Sequence, residues 1–292
     1  MEHGHTESLL QYWRHPHLAD GHFQPLRWRA WLGWIGAMLV LSFLAMGLAA
    51  LAIHLLGHIV PRDRFIDWIA AHPSWRFAAT LAVGPVVEEL SFRCFISQVP
   101  RDVVVGFGFL GALLAGLLLH VLMGGPAAPA PLHDVAATYF INLAIMLPIA
   151  AALGGLLWWL RVPLQRGLRR RAAPVIVLTT LFFAALHSFN FGEGFKPWLL
   201  WLTLPQLMAG AVLVYVRVRH GLRASIATHL GFDWLLLLLV WTARLAHAHG
   251  GVLDLFATVT GAIFFAVLIH GTVFLFRRGV LRAPLPEPVP PH

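Results

Sequence analysis

Three short stretches of this chain put ionisable side chains where the surrounding sequence is almost wholly apolar: VVEELSFRCF (86–95), LFFAALHSFN (181–190) and IATHLGFDW (226–234). Glu89 and Arg93 stand four apart with the acid on the amino-terminal side, the favourable order for an ion pair along a helix. Glu88 is turned about 100° away from that pair and has no local partner. His229 and Asp233 are again four apart, and Phe183 lies one turn before His187. A carboxylate beside a histidine suits general-base activation of water. A second histidine with a polar neighbour suits stabilisation of an oxyanion. The same residues would equally serve as a polar network that fastens helices together, and spacing alone leaves both readings open.

Whatever they do, long apolar segments must position them. Of the 292 residues 59% are apolar and only 12% charged, against roughly a quarter charged in ordinary soluble domains. Apolar runs at 31–57, 68–98, 103–124, 136–160, 174–189, 197–216, 222–243 and 251–276 reach or approach the ~20 residues that cross a hydrocarbon core as helix. The sequence therefore predicts an all-α, polytopic transmembrane bundle of about eight spans. A charge inside such a span costs on the order of 2.5–3.5 kcal/mol on insertion scales, so the three polar stretches need a reason to exist.

Of the 21 Lys and Arg residues, Arg93 lies within a span and Arg62, Arg64, Arg76, Lys196 and Arg244 fall on one set of flanks. The remaining fifteen, among them Arg14, Arg169 and Arg217, fall on the other set, which holds both termini. By the positive-inside rule both termini are then cytoplasmic. Residues 1–30 read as a polar interfacial arm bearing His3, His5, His15, His17 and His22, 31–276 as the transmembrane domain, and 277–292, which contains APLPEPVPPH, as a Pro-rich tail. Trp28, Trp31, Trp158 and Trp198 near run ends fit an aromatic belt. The net charge of +8 is accounted for by these flanks, and the absence of a basic patch interleaved with aromatics argues against a nucleic-acid partner. The single cysteine, Cys94, excludes an internal disulfide and reads as a packing thiol. His54 and His58, four apart near the end of the first run, read as interfacial packing histidines.

EELSFR (88–93), FAALH (183–187) and HLGFD (229–233), in this order on apolar helices, resemble the EExxxR, FxxxH and HxxxN/D motifs of the CPBP family of intramembrane proteases. That family is also called ABI or CAAX-protease-like. The resemblance covers a motif core of about 76–245. It implies a helical membrane bundle whose polar cavity hydrolyses peptide bonds of a membrane-associated polypeptide. Glu88 and His187 would activate water, His229 would bind the oxyanion with Asp233 in the fourth position, and Glu89, Arg93 and Phe183 would support the site.

Two departures from the family pattern bear on the chemistry. Glu88 and His187 are 99 positions apart, which implies an insertion of two spans over about 103–160. The rival first histidine, His120, has the customary spacing but carries Gly116 where the motif has Phe. Asp233 stands where asparagine is common, and an ionised aspartate would repel an oxyanion. Protonation, orientation of His229 or a metal would each resolve this. Glu88, His187, His229 and Asp233 are all acceptable zinc ligands, so zinc stands beside a metal-free glutamate mechanism. The alternative function is a non-catalytic scaffold or immunity-type protein that retains the network. An ion-coupled transporter or haem protein has less support, since no repeat or paired broken helices are seen. The Arg-rich, nearly Lys-free usage points to a multi-pass protein of a bacterial inner membrane, with membrane lipids and a membrane-associated peptide as partners.

Overall fold

In a lipid environment each backbone N–H and C=O must find an internal partner, which favours uninterrupted helix along every apolar run. A computed structural model describes residues 8–61, 75–122, 132–191, 196–249 and 251–277, and it is helical almost throughout. Its helices are α1 (Leu9–Arg14), α2 (Trp28–Leu55), α3 (Trp75–Phe92), α4 (Pro100–Leu122), α5 (Leu132–Trp158), α6 (Arg161–Arg170), α7 (Ala172–Leu186), α8 (Leu204–His220), α9 (Leu222–His249) and α10 (Val252–Arg277), with 3₁₀ turns at His187–Phe191 and Pro197–Thr203. Among the described residues the only β-type pairing is an isolated parallel bridge between Ala19 and Ser97. His3, His5 and the Pro-rich tail lie outside the described residues.

Against about eight spans expected, the described residues show six to seven candidates. Six described helices are long and apolar enough to cross a membrane, or seven if the bent pair Ala144–Trp158 and Arg161–Arg170 forms one span. The axes of that pair differ by 89°. Helix α3 is only 18 residues long and carries Arg76, Glu88 and Glu89, so its apolar character is diluted. At its carboxyl end it stops at Phe92, before the limit of 98 predicted. The backbone leaves the helix after Phe92, and the N–H groups of both Arg93 and Cys94 converge on the carbonyl of Glu89 at 3.0 and 2.9 Å. Pro100 then opens α4, a position where its missing N–H costs nothing.

Small residues set the closest packing. A Cβ on Gly36 of α2 would lie 2.3 Å from the Val267 carbonyl oxygen and 2.6 Å from the Gly271 Cα of α10. Backbone therefore touches backbone, the contact small residues permit between membrane helices. Helix α9 packs on α2, α3, α8 and α10, and α7 packs on α3 and α8, so the first polar stretch lies on a helix that neighbours those carrying the other two.

The amino-terminal segment is built into the bundle. A capping box opens α1, with Ser8 Oγ accepting from the Gln11 N–H and Gln11 Oε1 accepting from the Ser8 N–H. Tyr12 is fully buried with Leu9 and Leu18 in the main core beside Trp34 and Tyr215. Trp13 Nε1 donates to the carbonyl of Ala211 on α8, and the backbone of Gln24 accepts from and donates to residues at the end of the same helix.

Candidate active site

Helix α3 brings two adjacent glutamates into different surroundings. Glu89 is fully buried. Its Oε1 accepts from Arg93 Nη1 at 2.8 Å and from His229 Nδ1 at 3.0 Å, while Oε2 accepts from Ser225 Oγ at 2.5 Å. All three partners are buried, Arg93 at 1% exposure. The Arg93 guanidinium carbon also sits 4.1 Å from the centroid of the Phe183 ring, where a cation meets the negative face of an aromatic. Gly210 of α8 backs this stack, because a Cβ there would come within 3.2 Å of both Arg93 and Phe183.

Glu88 is on the open side, with its side chain 35% exposed and Oε2 3.7 Å from His229 Nε2. Asp233, 27% exposed, approaches the same nitrogen at 3.8 Å from one turn farther along α9. His229 thus joins a buried floor to an open rim. Its Nδ1 faces a carboxylate already paired with Arg93, which can only accept, so Nδ1 carries the proton and Nε2 is the nitrogen presented to Glu88 and Asp233. The gaps of 3.7 and 3.8 Å exceed direct hydrogen bonds and are distances a bridging water spans.

His187 enters from the end of α7. Its own backbone N–H bonds the carbonyls of Ala184 and Ala185, and its Nδ1 donates to the Phe183 carbonyl at 2.8 Å. The unmet carbonyls of a helix end thus fix the ring and leave Nε2 as the unprotonated nitrogen. Among the described residues no ion pair of 4.0 Å or less joins His187 to Glu88. The link to the cluster runs through Phe183, whose ring centroid is 4.7 Å from that of His187 and 6.2 Å from that of His229. The rival His120 lies on α4, and its side chain is outside the described residues.

The zinc option finds no support in this arrangement. Among the described residues no group of three or more His, Cys, Asp or Glu side chains is disposed to hold a metal ion. His187 reaches the cluster through ring contact with Phe183, and no direct polar contact with Glu88, His229 or Asp233 is seen among the described residues. Elsewhere, Cys94 is a buried free thiol, and His58 stacks on Trp198 with centroids 4.8 Å apart.

Two residues of the site escaped the sequence reading. Ser225, four positions before His229, falls on the same helix stripe as His229 and Asp233, and that period was the available signal. Arg217 was grouped with the flanking cations but is 1% exposed and buried. Its Nε donates to the Arg93 carbonyl and its Nη2 to the Cys94 carbonyl, each at 3.2 Å, while Nη2 pairs with Asp102 at 3.1 Å. It ties down the backbone that leaves α3 just after the two glutamates. Nothing in the sequence links position 217 to positions 93 and 94.

The family described as type II CAAX prenyl endopeptidase Rce1-like matches residues 70–235, more than half of the chain and inclusive of all three polar stretches. No curated protein and no solved structure matches the chain.

Proposed function

The chain belongs to the Rce1-like family of type II CAAX prenyl endopeptidases, and from that premise we propose that it cleaves a membrane-associated polypeptide with Glu88 as the water-activating base. It is an integral multi-pass protein of a protease family. In our reading both termini are cytoplasmic and the membrane is a bacterial inner membrane. The observation that carries the reading is the contrast at one histidine: a buried Glu89–Arg93–Ser225 unit fixes Nδ1 of His229, while the accessible Glu88 carboxylate waits 3.7 Å from Nε2.

Water bound between Glu88 and His187 gives a proton to the Glu88 carboxylate, and its oxygen attacks the scissile carbonyl carbon. His187 Nε2, unprotonated because Nδ1 is committed to the Phe183 carbonyl, accepts a hydrogen bond from that water and orients it. The negative charge that develops on the carbonyl oxygen is met by a protonated His229 Nε2. Asp233, 3.8 Å from the same nitrogen, holds that imidazolium and so acts on the oxyanion only through His229. Collapse of the tetrahedral intermediate breaks the C–N bond, and the proton held by Glu88 passes to the leaving nitrogen. Every step uses side chains of this chain, without a metal.

The test is cleavage of a membrane-presented peptide library by wild-type and Glu88→Gln protein, each with and without chelator. Wild-type product that persists in chelator and disappears in the variant supports the glutamate mechanism. Loss of wild-type product on chelation would replace it with a metal-dependent one. Absence of product from folded wild type would favour the scaffold alternative.

A further inference from the structure

A cavity of about 550 Å³ opens between the segment that leads into α2 and the first turns of α9, on the opposite side of α9 from Ser225 and His229. Phe23, Trp28, Trp31, His220, Arg223 and Ala227 are among its lining residues. It lies where one candidate span begins at Trp28, another ends at His220 and a third begins at Leu222. That level is the boundary between hydrocarbon and headgroups, where indole rings collect.

The chemistry of the wall is one-sided. Among the described residues Arg223 has no ion-pair or hydrogen-bond partner, and no Asp or Glu lines the cavity. Trp31, packed flat enough on Gly231 that a Cβ there would meet its Cζ2 at 2.8 Å, keeps a buried indole N–H with no acceptor. His220 is turned inward by its bond to the Gln24 carbonyl at 2.9 Å. The remaining surface is apolar, with Phe23 and Trp28 exposed. A cation without an anionic partner at one end of an aromatic groove, at headgroup depth, asks for a ligand with an anion at one end and hydrocarbon at the other.

We propose that this cavity binds one anionic glycerophospholipid, with its phosphate on the Arg223 guanidinium and an acyl chain along Phe23 and Trp28. A zwitterionic lipid offers a cation that no carboxylate here can receive, so the site discriminates by charge. A small soluble anion would leave the aromatic groove unfilled. The site is separate from the proposed catalytic groups and does not depend on their chemistry.

Native mass spectrometry of the full chain in detergent tests this directly. The probes are phosphatidylglycerol, phosphatidylcholine of the same chains, and glycerol phosphate. One phosphatidylglycerol should be retained with at least a tenfold preference over phosphatidylcholine, and glycerol phosphate should not compete at equal concentration. Arg223→Gln should weaken retention about tenfold, the scale of one charge-assisted hydrogen bond. Arg223 is exposed, so its variant should melt with wild type, whereas Arg169→Gln on α6 should bind as wild type does. Equal retention of both lipids, undiminished binding by Arg223→Gln, or competition by glycerol phosphate would each overturn the proposal.

Discussion

The floor and the rim of the polar site use the same kinds of residue under opposite conditions. On the floor, the Glu89 carboxylate takes Arg93, Ser225 and His229 Nδ1 as partners out of contact with solvent, at distances of 2.5 to 3.0 Å. On the rim, Glu88 and Asp233 remain partly exposed and stand 3.7 and 3.8 Å from His229 Nε2. Burial makes the floor costly to disturb, because removing one partner strands a charge where water cannot reach it. Openness makes the rim cheap to disturb structurally and available to react. One residue of offset on α3 separates a fully buried glutamate with three partners from one that is partly exposed.

Substitutions that respect this division should separate activity from stability. Glu88→Gln is expected to lower peptide cleavage by about 10²–10⁴-fold, the usual contribution of a general base, with an unchanged melting temperature. If this variant melts as early as a Glu89 variant, the division between floor and rim is wrong. Glu89→Ala should destabilise the protein by about 3–5 kcal/mol, since Arg93 would then be buried without its carboxylate; denaturant or thermal unfolding in detergent measures it. Ser225→Ala removes one hydrogen bond to the same carboxylate and should cost about 1.5–3 kcal/mol by the same measurement. Asp233→Asn keeps size and hydrogen bonding at the rim, so cleavage should fall by less than about tenfold with no change in melting. A loss as large as that of Glu88→Gln would move Asp233 from orienting His229 to direct participation.

The sequence made the spans legible because apolar runs of about 20 residues leave helix as the only economical backbone. It also made the Glu89–Arg93 pairing legible, since both residues sit on one short helix at a spacing with a known preference. What it concealed was contact between distant segments. The offset of six positions by which α3 ends before the predicted limit of 98 depends on Arg217, 124 positions beyond the Arg93 carbonyl it holds. No spacing shows that the Phe183 ring links His187 to His229, with centroids 4.7 and 6.2 Å from theirs. The arm read as interfacial contains Tyr12, whose burial depends on Tyr215 and Trp34, residues that no local pattern connects to it.

That arm also imposes an order on how the protein can be made. Trp13 hydrogen-bonds to Ala211, 198 positions later, and Gln24 pairs with the end of the same helix. At translation speeds of about 5–20 residues per second, roughly 10–40 s pass between synthesis of the arm and appearance of the helix that receives it. During that interval Leu9, Tyr12 and Trp13 have none of their final neighbours on α8. The arm is therefore made well before the helix that receives it, and it can reach its place only once that helix has been delivered.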